Sequence, residues 1–85
     1  MIINYHKEFT KNYKKLPAKT QEKFKQRQLL FEKDEFDPVL NNHPLKGKYG
    51  GYRSINITGD LRAVFRQKGS TIIFIAIDTH SNLYK

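Results

Sequence analysis

The spacing of the apolar residues changes near residue 40, and this change limits which folds the chain can adopt more than any other feature. Before it, apolar residues recur at spacings of three and four, as in Phe9, Tyr13 and Leu16, which predicts amphipathic helices. After it, they alternate with polar residues or run together in β-branched clusters, which predicts strands. The helices should therefore come first and an antiparallel sheet afterwards.

The first half of the chain predicts a short strand followed by a helical hairpin. Apolar residues at 2, 3 and 5 suggest the strand, and residues 7–34 suggest the two helices. The hairpin should break at Pro17, because a proline suits the first turn of a helix, where its missing N–H has no partner. Pro38 should end the second helix, because the residue before a proline is pushed out of the helical region.

The second half predicts three antiparallel strands. Two turns, Thr58-Gly59-Asp60 and Lys68-Gly69, divide it into a meander. The predicted fold class is therefore α+β, with an N-terminal strand, a helical hairpin and a β-meander that the helices cover on one face. A chain of 85 residues is expected to form a single domain, residues 1–85, with one modest core.

The register of the first hairpin decides which side chains share a face. A three-residue loop at residues 58–60 places Asn56 opposite Arg62, whereas a two-residue turn would bury Arg62 among apolar residues. Burial therefore favours the longer loop. The resulting apolar side consists of Ile55, Ile57, Leu61, Ala63 and Phe65, and the polar side of Ser54, Asn56, Arg62 and Arg66.

The charge of the chain suggests a polyanionic partner. Sixteen lysines and arginines against eight aspartates and glutamates give a formal net charge of +8. Such a field attracts nucleic acid, an acidic protein segment or an anionic membrane, although a merely soluble basic protein is the alternative.

Several classes of site and location are not indicated. Cysteine is absent, the three histidines are dispersed, and no glycine-rich phosphate loop is present, so neither a metal nor a small-molecule cofactor is expected. No apolar run approaches the roughly 20 residues that span a bilayer. The N-terminus lacks the basic and apolar regions of an export signal, so we expect no membrane partner and a cytoplasmic location.

Three side chains are candidates for acid–base and phosphate chemistry. Arg62, on the open sheet face beside Asn56, can bind a phosphate through two parallel hydrogen bonds, unless it is simply solvated or paired with Asp60. His80 follows the last long strand and His43 lies in the loop that enters the sheet. Either imidazole can transfer a proton at cellular pH, and either can instead be incidental.

Basic and aromatic residues are interleaved before the meander. Lys46, Lys48 and Arg53 lie on either side of Tyr49 and Tyr52, a combination used to bind single-stranded RNA, although Tyr52 could be core and the charges ordinary surface. A metal-free site built from these residue types can cleave RNA, because the 2′-hydroxyl is an internal nucleophile.

Four segments resemble the RelE/ParE superfamily of toxins from toxin–antitoxin modules, and most closely its RelE and YafQ branch of mRNA interferases. They are His43-Pro44-Leu45-Lys46-Gly47, Gly51-Tyr52-Arg53, Gly59-Asp60-Leu61-Arg62-Ala63-Val64-Phe65 and Thr79-His80-Ser81-Asn82-Leu83-Tyr84. The resemblance implies a microbial-RNase-like fold and a ribosome-dependent endoribonuclease. It also implies three partners: a cognate antitoxin, the ribosome and mRNA.

The resemblance also implies roles for individual residues. Arg62 matches a phosphate-stabilising arginine, His80 a catalytic histidine, and His43 and Asp60 further active-site positions. Arg53 matches a substrate-contacting basic residue, and Tyr84 an aromatic near the C-terminus. The predicted site is therefore catalytic His80, Arg62, His43 and Asp60, with RNA contacts from Lys46, Lys48, Arg53, Asn56, Arg66 and Tyr84.

Two positions depart from the pattern of YafQ-like toxins. Asn56 stands where those toxins carry another histidine, and Ala76 where they carry an arginine. Arg62 can supply the missing guanidinium, but Asn56 cannot transfer a proton at neutral pH. Two alternatives therefore stay open: a gyrase inhibitor of the ParE type, and a weakened toxin that only binds RNA or its antitoxin.

Overall fold

The computed structural model describes all residues from Met1 to Lys85. The chain forms strand β1 (Ile2–Tyr5), helices α1 (Lys7–Lys14) and α2 (Ala18–Lys33), strands β2 (His43–Pro44), β3 (Arg53–Asn56), β4 (Leu61–Lys68) and β5 (Thr71–Thr79), and a short helix α3 (His80–Leu83). Short 3-10 turns at Pro38–Leu40 and Gly47–Tyr49 flank β2. No helix is both long enough and apolar enough to cross a membrane.

The five strands form one sheet in the order β1-β5-β4-β3-β2. β1 runs parallel to β5, and the other neighbours are antiparallel. The predicted register is confirmed, since Asn56 lies opposite Arg62 and the Ile57 N–H donates to the Leu61 carbonyl at 2.9 Å. The predicted α+β class and the β-meander are confirmed as well. The parallel pairing of β1 is an addition that local pattern did not indicate.

One face of the sheet packs against α1 and α2. Phe9, Phe24 and Phe31 from the helices are almost fully buried there. They belong to a core whose other members come from the sheet and the segment before it: Leu40, Ile55, Ile57, Leu61, Ala63, Phe65, Ile72, Phe74 and Ile77. The predicted apolar side of the hairpin is therefore the side that the helices cover.

A β-bulge in β5 explains how the core uses a nearly continuous apolar strand. Val64 pairs with Ala76 whereas Phe65 pairs with Phe74, so Ile75 is an extra residue in β5. Because side chains alternate along a strand, this extra residue allows Phe74 and Ile77 to point to the same face although their numbers differ by three.

Side-chain hydrogen bonds cap both ends of α1. The His6 Nδ1 accepts from the Glu8 N–H at 3.1 Å and caps the start of α1. At the other end of α1, the Gln21 amide donates to the carbonyls of Tyr13 and Leu16, each at 3.1 Å. Gln21 thus supplies the donor for the Leu16 carbonyl, just after α1, and adds a second donor to the Tyr13 carbonyl, which also accepts from the Leu16 N–H.

The other face of the sheet is less polar than the sequence predicts. Ser54, assigned to the polar side, is 2% exposed, and Val64 on the same face is completely buried. Val64 and Leu83 of α3 are buried outside the main core. The difference arises because α3 folds back over this face, which a prediction of a simple C-terminal tail does not include.

Candidate active site

The face opposite α1 and α2 carries two rows of side chains that cross the strands. In the first row, His43 pairs with Ser54, which pairs with Val64, which pairs with Ala76. In the second row, Arg62 lies between Asn56 and Asp78. Paired residues in a sheet point to the same side, so these rows build one surface.

A pocket of about 190 Å³ opens on this surface. Its walls come from the loop before β2, from three strands and from the C-terminal helix. The lining residues are Asn41, His43, Ser54, Arg62, His80 and Tyr84. Four residues that the sequence predicts for the site, namely His43, Arg62, His80 and Tyr84, are thus brought together from distant parts of the chain.

Backbone carbonyls in and next to the β3–β4 turn bind one nitrogen of the Arg62 guanidinium. Its Nη1 donates to the carbonyls of Thr58 and Gly59 at 3.2 Å and to that of Leu61 at 3.3 Å. Its Nε and Nη2 donate no hydrogen bond to the protein. One part of the guanidinium is therefore anchored by backbone while the other is free to bind oxygens of an anion.

The backbone at Asn41 selects the tautomer of His43. The His43 Nδ1 lies 2.8 Å from the Asn41 carbonyl oxygen, which is an acceptor only. In the neutral imidazole Nδ1 must then carry the proton, which leaves Nε2 as the acceptor. Asn41 presents this carbonyl from a left-handed backbone (φ 46°), a conformation that asparagine tolerates better than most residues.

The start of α3 positions His80. The Thr79 Oγ1 caps the helix by accepting from the Asn82 N–H at 3.1 Å, and the His80 N–H donates to the Asp60 carbonyl at 3.0 Å. The exposed imidazole packs against the ring of Tyr84 with centroids 4.9 Å apart, and its nitrogens make no hydrogen bond within the protein. Both nitrogens are therefore available for proton transfer.

The pKa of the Tyr84 phenol is raised above its ordinary value. Burial is the main cause, the neighbouring Tyr49 raises the pKa further, and Arg62 acts in the opposite direction. Tyr84 is therefore protonated at neutral pH, where it can donate a hydrogen bond but cannot act as a base.

An aromatic chain continues from the pocket to the turn before β3. The ring of Tyr84 contacts that of Tyr49 at 6.1 Å, and Tyr49 contacts Tyr52 at 6.5 Å. The Lys48 ammonium lies 5.2 Å from the Tyr49 ring centroid. Tyr49, Tyr52 and Lys48 therefore adjoin the pocket through Tyr84.

Several predicted site residues lie outside the pocket. Asp60 is exposed, and it supports the site through its backbone carbonyl rather than its carboxylate. Lys46 and Arg66 are exposed, with Arg66 four residues along β4 from Arg62. Asn56 is adjacent to Arg62, and its Oδ1 is buried without a hydrogen-bond partner.

Arg53 lies on the opposite face of the sheet from the pocket, since it alternates with Ser54 along β3. Its Nε donates to the Asn42 Oδ1 at 2.8 Å, and its guanidinium lies 5.6 Å from the Phe36 ring centroid. The role of Arg53 as an RNA contact stays a prediction.

Two pocket residues were not singled out as functional by sequence reasoning. Strand alternation already puts Ser54 on the same face as Arg62, but its place on the pocket wall depends on His43 and α3, which pair or pack from far along the chain. Asn41 gives no sequence signal for its role, which rests on its backbone. No three His, Cys, Asp or Glu side chains are grouped so that they could hold a metal ion.

The whole chain, residues 1–85, matches the sequence profile of a protein family described as "Bacterial toxin of type II toxin-antitoxin system, YafQ". No curated protein matches it by sequence search. Among solved structures, YafQ from E. coli strain BL21(DE3) superposes with a TM-score of 0.82 at 22% identity, covering 98% of this chain and 97% of that one.

Two further structures are similar. A YoeB/ParE toxin from Agrobacterium tumefaciens has a TM-score of 0.78 at 26% identity, with 94% of this chain and 99% of that one covered. The toxin in the E. coli DinJ-YafQ toxin-antitoxin complex has a TM-score of 0.79 at 23% identity, with 98% and 96% covered.

Proposed function

The chain belongs to the YafQ family of bacterial toxins from type II toxin–antitoxin systems, and from this premise we propose that it is a ribosome-dependent endoribonuclease that cleaves mRNA. The observation that carries the proposal is the convergence of a partly free guanidinium, two imidazoles and a neutral tyrosine on one pocket. These groups match what cleavage of RNA needs, since the RNA supplies its own nucleophile.

Each pocket group has a role in the proposed reaction. His43 Nε2 accepts the proton of the 2′-hydroxyl while the 2′-oxygen attacks the adjacent phosphorus. Arg62 stabilises the charge that develops on the phosphate, through Nε and Nη2. His80 protonates the departing 5′-oxygen. The products are a 2′,3′-cyclic phosphate on one fragment and a 5′-hydroxyl on the other.

The partly exposed tyrosines adjoining the pocket support contacts to the neighbouring bases. Tyr84 can donate its phenol hydrogen to the RNA, and Tyr49 offers a ring beside the Lys48 ammonium. Stacking on aromatic rings next to phosphate-neutralising lysines is how many proteins hold single-stranded RNA. The predicted contacts Lys46, Asn56 and Arg66 would extend this surface.

Two kinds of macromolecular partner are part of the proposal. A net charge of +8 favours association with the ribosome and mRNA, which are polyanions. A cognate antitoxin with an acidic or amphipathic segment is the second partner, supported by the E. coli toxin found with its antitoxin. Neither a membrane nor a small-molecule cofactor enters the reaction.

The test is in vitro translation with purified protein. Wild type should cut ribosome-bound mRNA, and Arg62→Ala and His80→Ala should each lower the cleavage rate on the order of 10²-fold or more. Intact mRNA with wild type, or wild-type rates for both variants, would sink the proposal. Inhibition of gyrase supercoiling that survives His80→Ala would instead support a ParE-like activity.

A second candidate function is binding of RNA or antitoxin without cleavage. Asn56 and Ala76, in the place of a histidine and an arginine, favour it. This function predicts that RNA binding weakens steeply with salt while the RNA stays intact. Growth after induced expression separates the two, because only the nuclease should arrest it.

A further inference from the structure

Ser54 is the one buried polar or charged residue of the protein. It is 2% exposed, yet it lines the pocket. Its hydroxyl takes part in no hydrogen bond within the protein. The small exposed part of this side chain therefore faces the pocket, where a ligand can reach it.

A hydroxyl is unusual at this position, because residues beside it in the strands are apolar and buried. A strand between two neighbours is usually filled by apolar residues, so a hydroxyl with no partner inside the protein stands out at this position. Ser54 is followed by the fully buried Ile55, and its cross-strand neighbour is the fully buried Val64. The hydroxyl is open to the pocket, so a group bound there can accept a hydrogen bond from it.

The neighbours of Ser54 indicate where in the substrate that partner lies. His43, the proposed base, pairs with Ser54 across β2 and β3, and Arg62 lies diagonally across β3 and β4. A group between the base and the guanidinium lies next to the phosphate under attack. Phosphate oxygens are acceptors, and a neutral hydroxyl donates to them without the repulsion that a carboxylate would add.

We propose that the Ser54 hydroxyl donates a hydrogen bond to one non-bridging oxygen of the scissile phosphate, while Arg62 binds the other. This inference rests on the proposed endoribonuclease function. It makes Ser54 a catalytic residue that distinguishes the two non-bridging oxygens, since it approaches them from a fixed strand. Ser54 itself is no nucleophile, because no base lies within hydrogen-bond distance of its hydroxyl.

The experiment measures single-turnover cleavage of ribosome-bound mRNA by wild type, Ser54→Ala and Ser54→Cys. Ser54→Ala should cleave roughly 10-fold or more slowly, as expected for loss of a hydrogen bond to a charged group. Ser54→Cys, which keeps the size but donates weakly, should also be slow. Ser70→Ala, in the exposed β4–β5 turn, is the matched control and should cleave like wild type.

A phosphorothioate at the scissile linkage shows which oxygen is contacted. Wild type should be slowed much more by sulfur in one diastereomer than in the other, and Ser54→Ala should lose part of this preference. Full cleavage by Ser54→Ala, or an unchanged diastereomer preference, would overturn the assignment. If wild type itself does not cleave the all-oxygen mRNA, the proposed function fails and the assignment fails with it. Thermal unfolding of each variant shows whether a slow rate comes from misfolding.

Discussion

The position of the proposed catalytic guanidinium, that of Arg62, can be tested by moving it to the neighbouring strand. Ala76 lies on the same face as Arg62 and diagonally across from it, because Val64 pairs with Ala76 and Arg62 with Asp78. Diagonal neighbours in a sheet are about 7–8 Å apart, which an arginine side chain can bridge. Ala76 is partly exposed, so a longer side chain fits there. We predict that Arg62→Ala abolishes most activity and that adding Ala76→Arg restores part of it.

The magnitude follows from the contacts of Arg62. Loss of a group that stabilises transition-state charge costs on the order of 10²-fold in rate, which is about 2.7 kcal/mol at 25 °C. Arg62→Ala also removes the hydrogen bonds from Nη1 to the turn carbonyls, so about 1 kcal/mol of stability should be lost. For a domain of this size that is a fall in Tm of roughly 4–8 °C. The double variant should recover at least about 10-fold in rate, because a charge at the phosphate regains most of its effect.

The assay is single-turnover cleavage of ribosome-bound mRNA, with thermal unfolding of each variant alongside. Ala76→Arg alone is the control, and it should keep activity because Arg62 is still present. Recovery of the rate without recovery of Tm would separate the chemical role of the guanidinium from its role in the turn. A folded double variant no faster than Arg62→Ala would refute the reasoning that residues 62 and 76 serve one phosphate site.

Three further predictions concern the free energy of unfolding, the pH dependence of stability and the cleavage rate. Gln21→Ala should lower the free energy of unfolding by about 1–3 kcal/mol in urea titrations, since the Leu16 carbonyl loses its donor and the Tyr13 carbonyl keeps only the Leu16 N–H. Gln26→Ala, exposed on the same helix as Gln21, should change it little. Equal effects of the two substitutions would contradict the capping role. Burial raises the pKa of the Tyr13 phenol above 10.0 in the folded state. The resulting contribution to stability is present below about pH 10 and is lost as pH rises through the folded-state pKa. The urea midpoint of Tyr13→Phe should therefore fall less steeply between about pH 9 and 12 than that of wild type, and parallel curves would contradict this. His43→Ala should lower the single-turnover cleavage rate on the order of 10²-fold or more, because the proposed base is lost; a wild-type rate in this variant would contradict the assigned role.

Much of the fold is readable from short-range pattern. The helical hairpin, the turn at residues 58–60 and the pairing of Asn56 with Arg62 follow from periodicity and turn chemistry, and the structure confirms them. The second turn, predicted at Lys68-Gly69, lies one residue later, at Gly69 and Ser70, because Lys68 still pairs with Thr71. These features depend on residues that are close in sequence. A one-residue slip of the hairpin would have buried Arg62, so burial alone was enough to choose the register.

The features that the sequence did not predict depend on contacts between distant segments. The pairing of β1 with β5 joins residues about 70 positions apart, and nothing local indicates it. The extra residue Ile75 changes which side chains of β5 face the core. The sequence does not show where this residue lies, because the strand is an almost continuous apolar run. α3 packs against β5, and Leu83, Val64 and Ser54 are buried outside the main core.

The candidate site also has a part that the sequence predicts and a part that depends on contacts between distant segments. Arg62, His80, His43 and Tyr84 were identified from residue type and from family resemblance, and they meet in one pocket. Asp60 lies outside that pocket and binds the His80 N–H through its backbone carbonyl, and Arg53 lies on the other face of the sheet. Ser54 looks like an ordinary strand residue until its burial and its unpartnered hydroxyl are known.

The central claim is that the 2′-hydroxyl of ribosome-bound mRNA is the nucleophile and that the pocket only moves protons and stabilises charge. A single 2′-deoxynucleotide on the 5′ side of the cleaved linkage tests it most directly. We predict that the unmodified mRNA is cut to a fragment ending in a 2′,3′-cyclic phosphate and that the deoxy-substituted mRNA is not cut at that linkage. Cleavage of the deoxy-substituted linkage by wild-type protein would contradict the account.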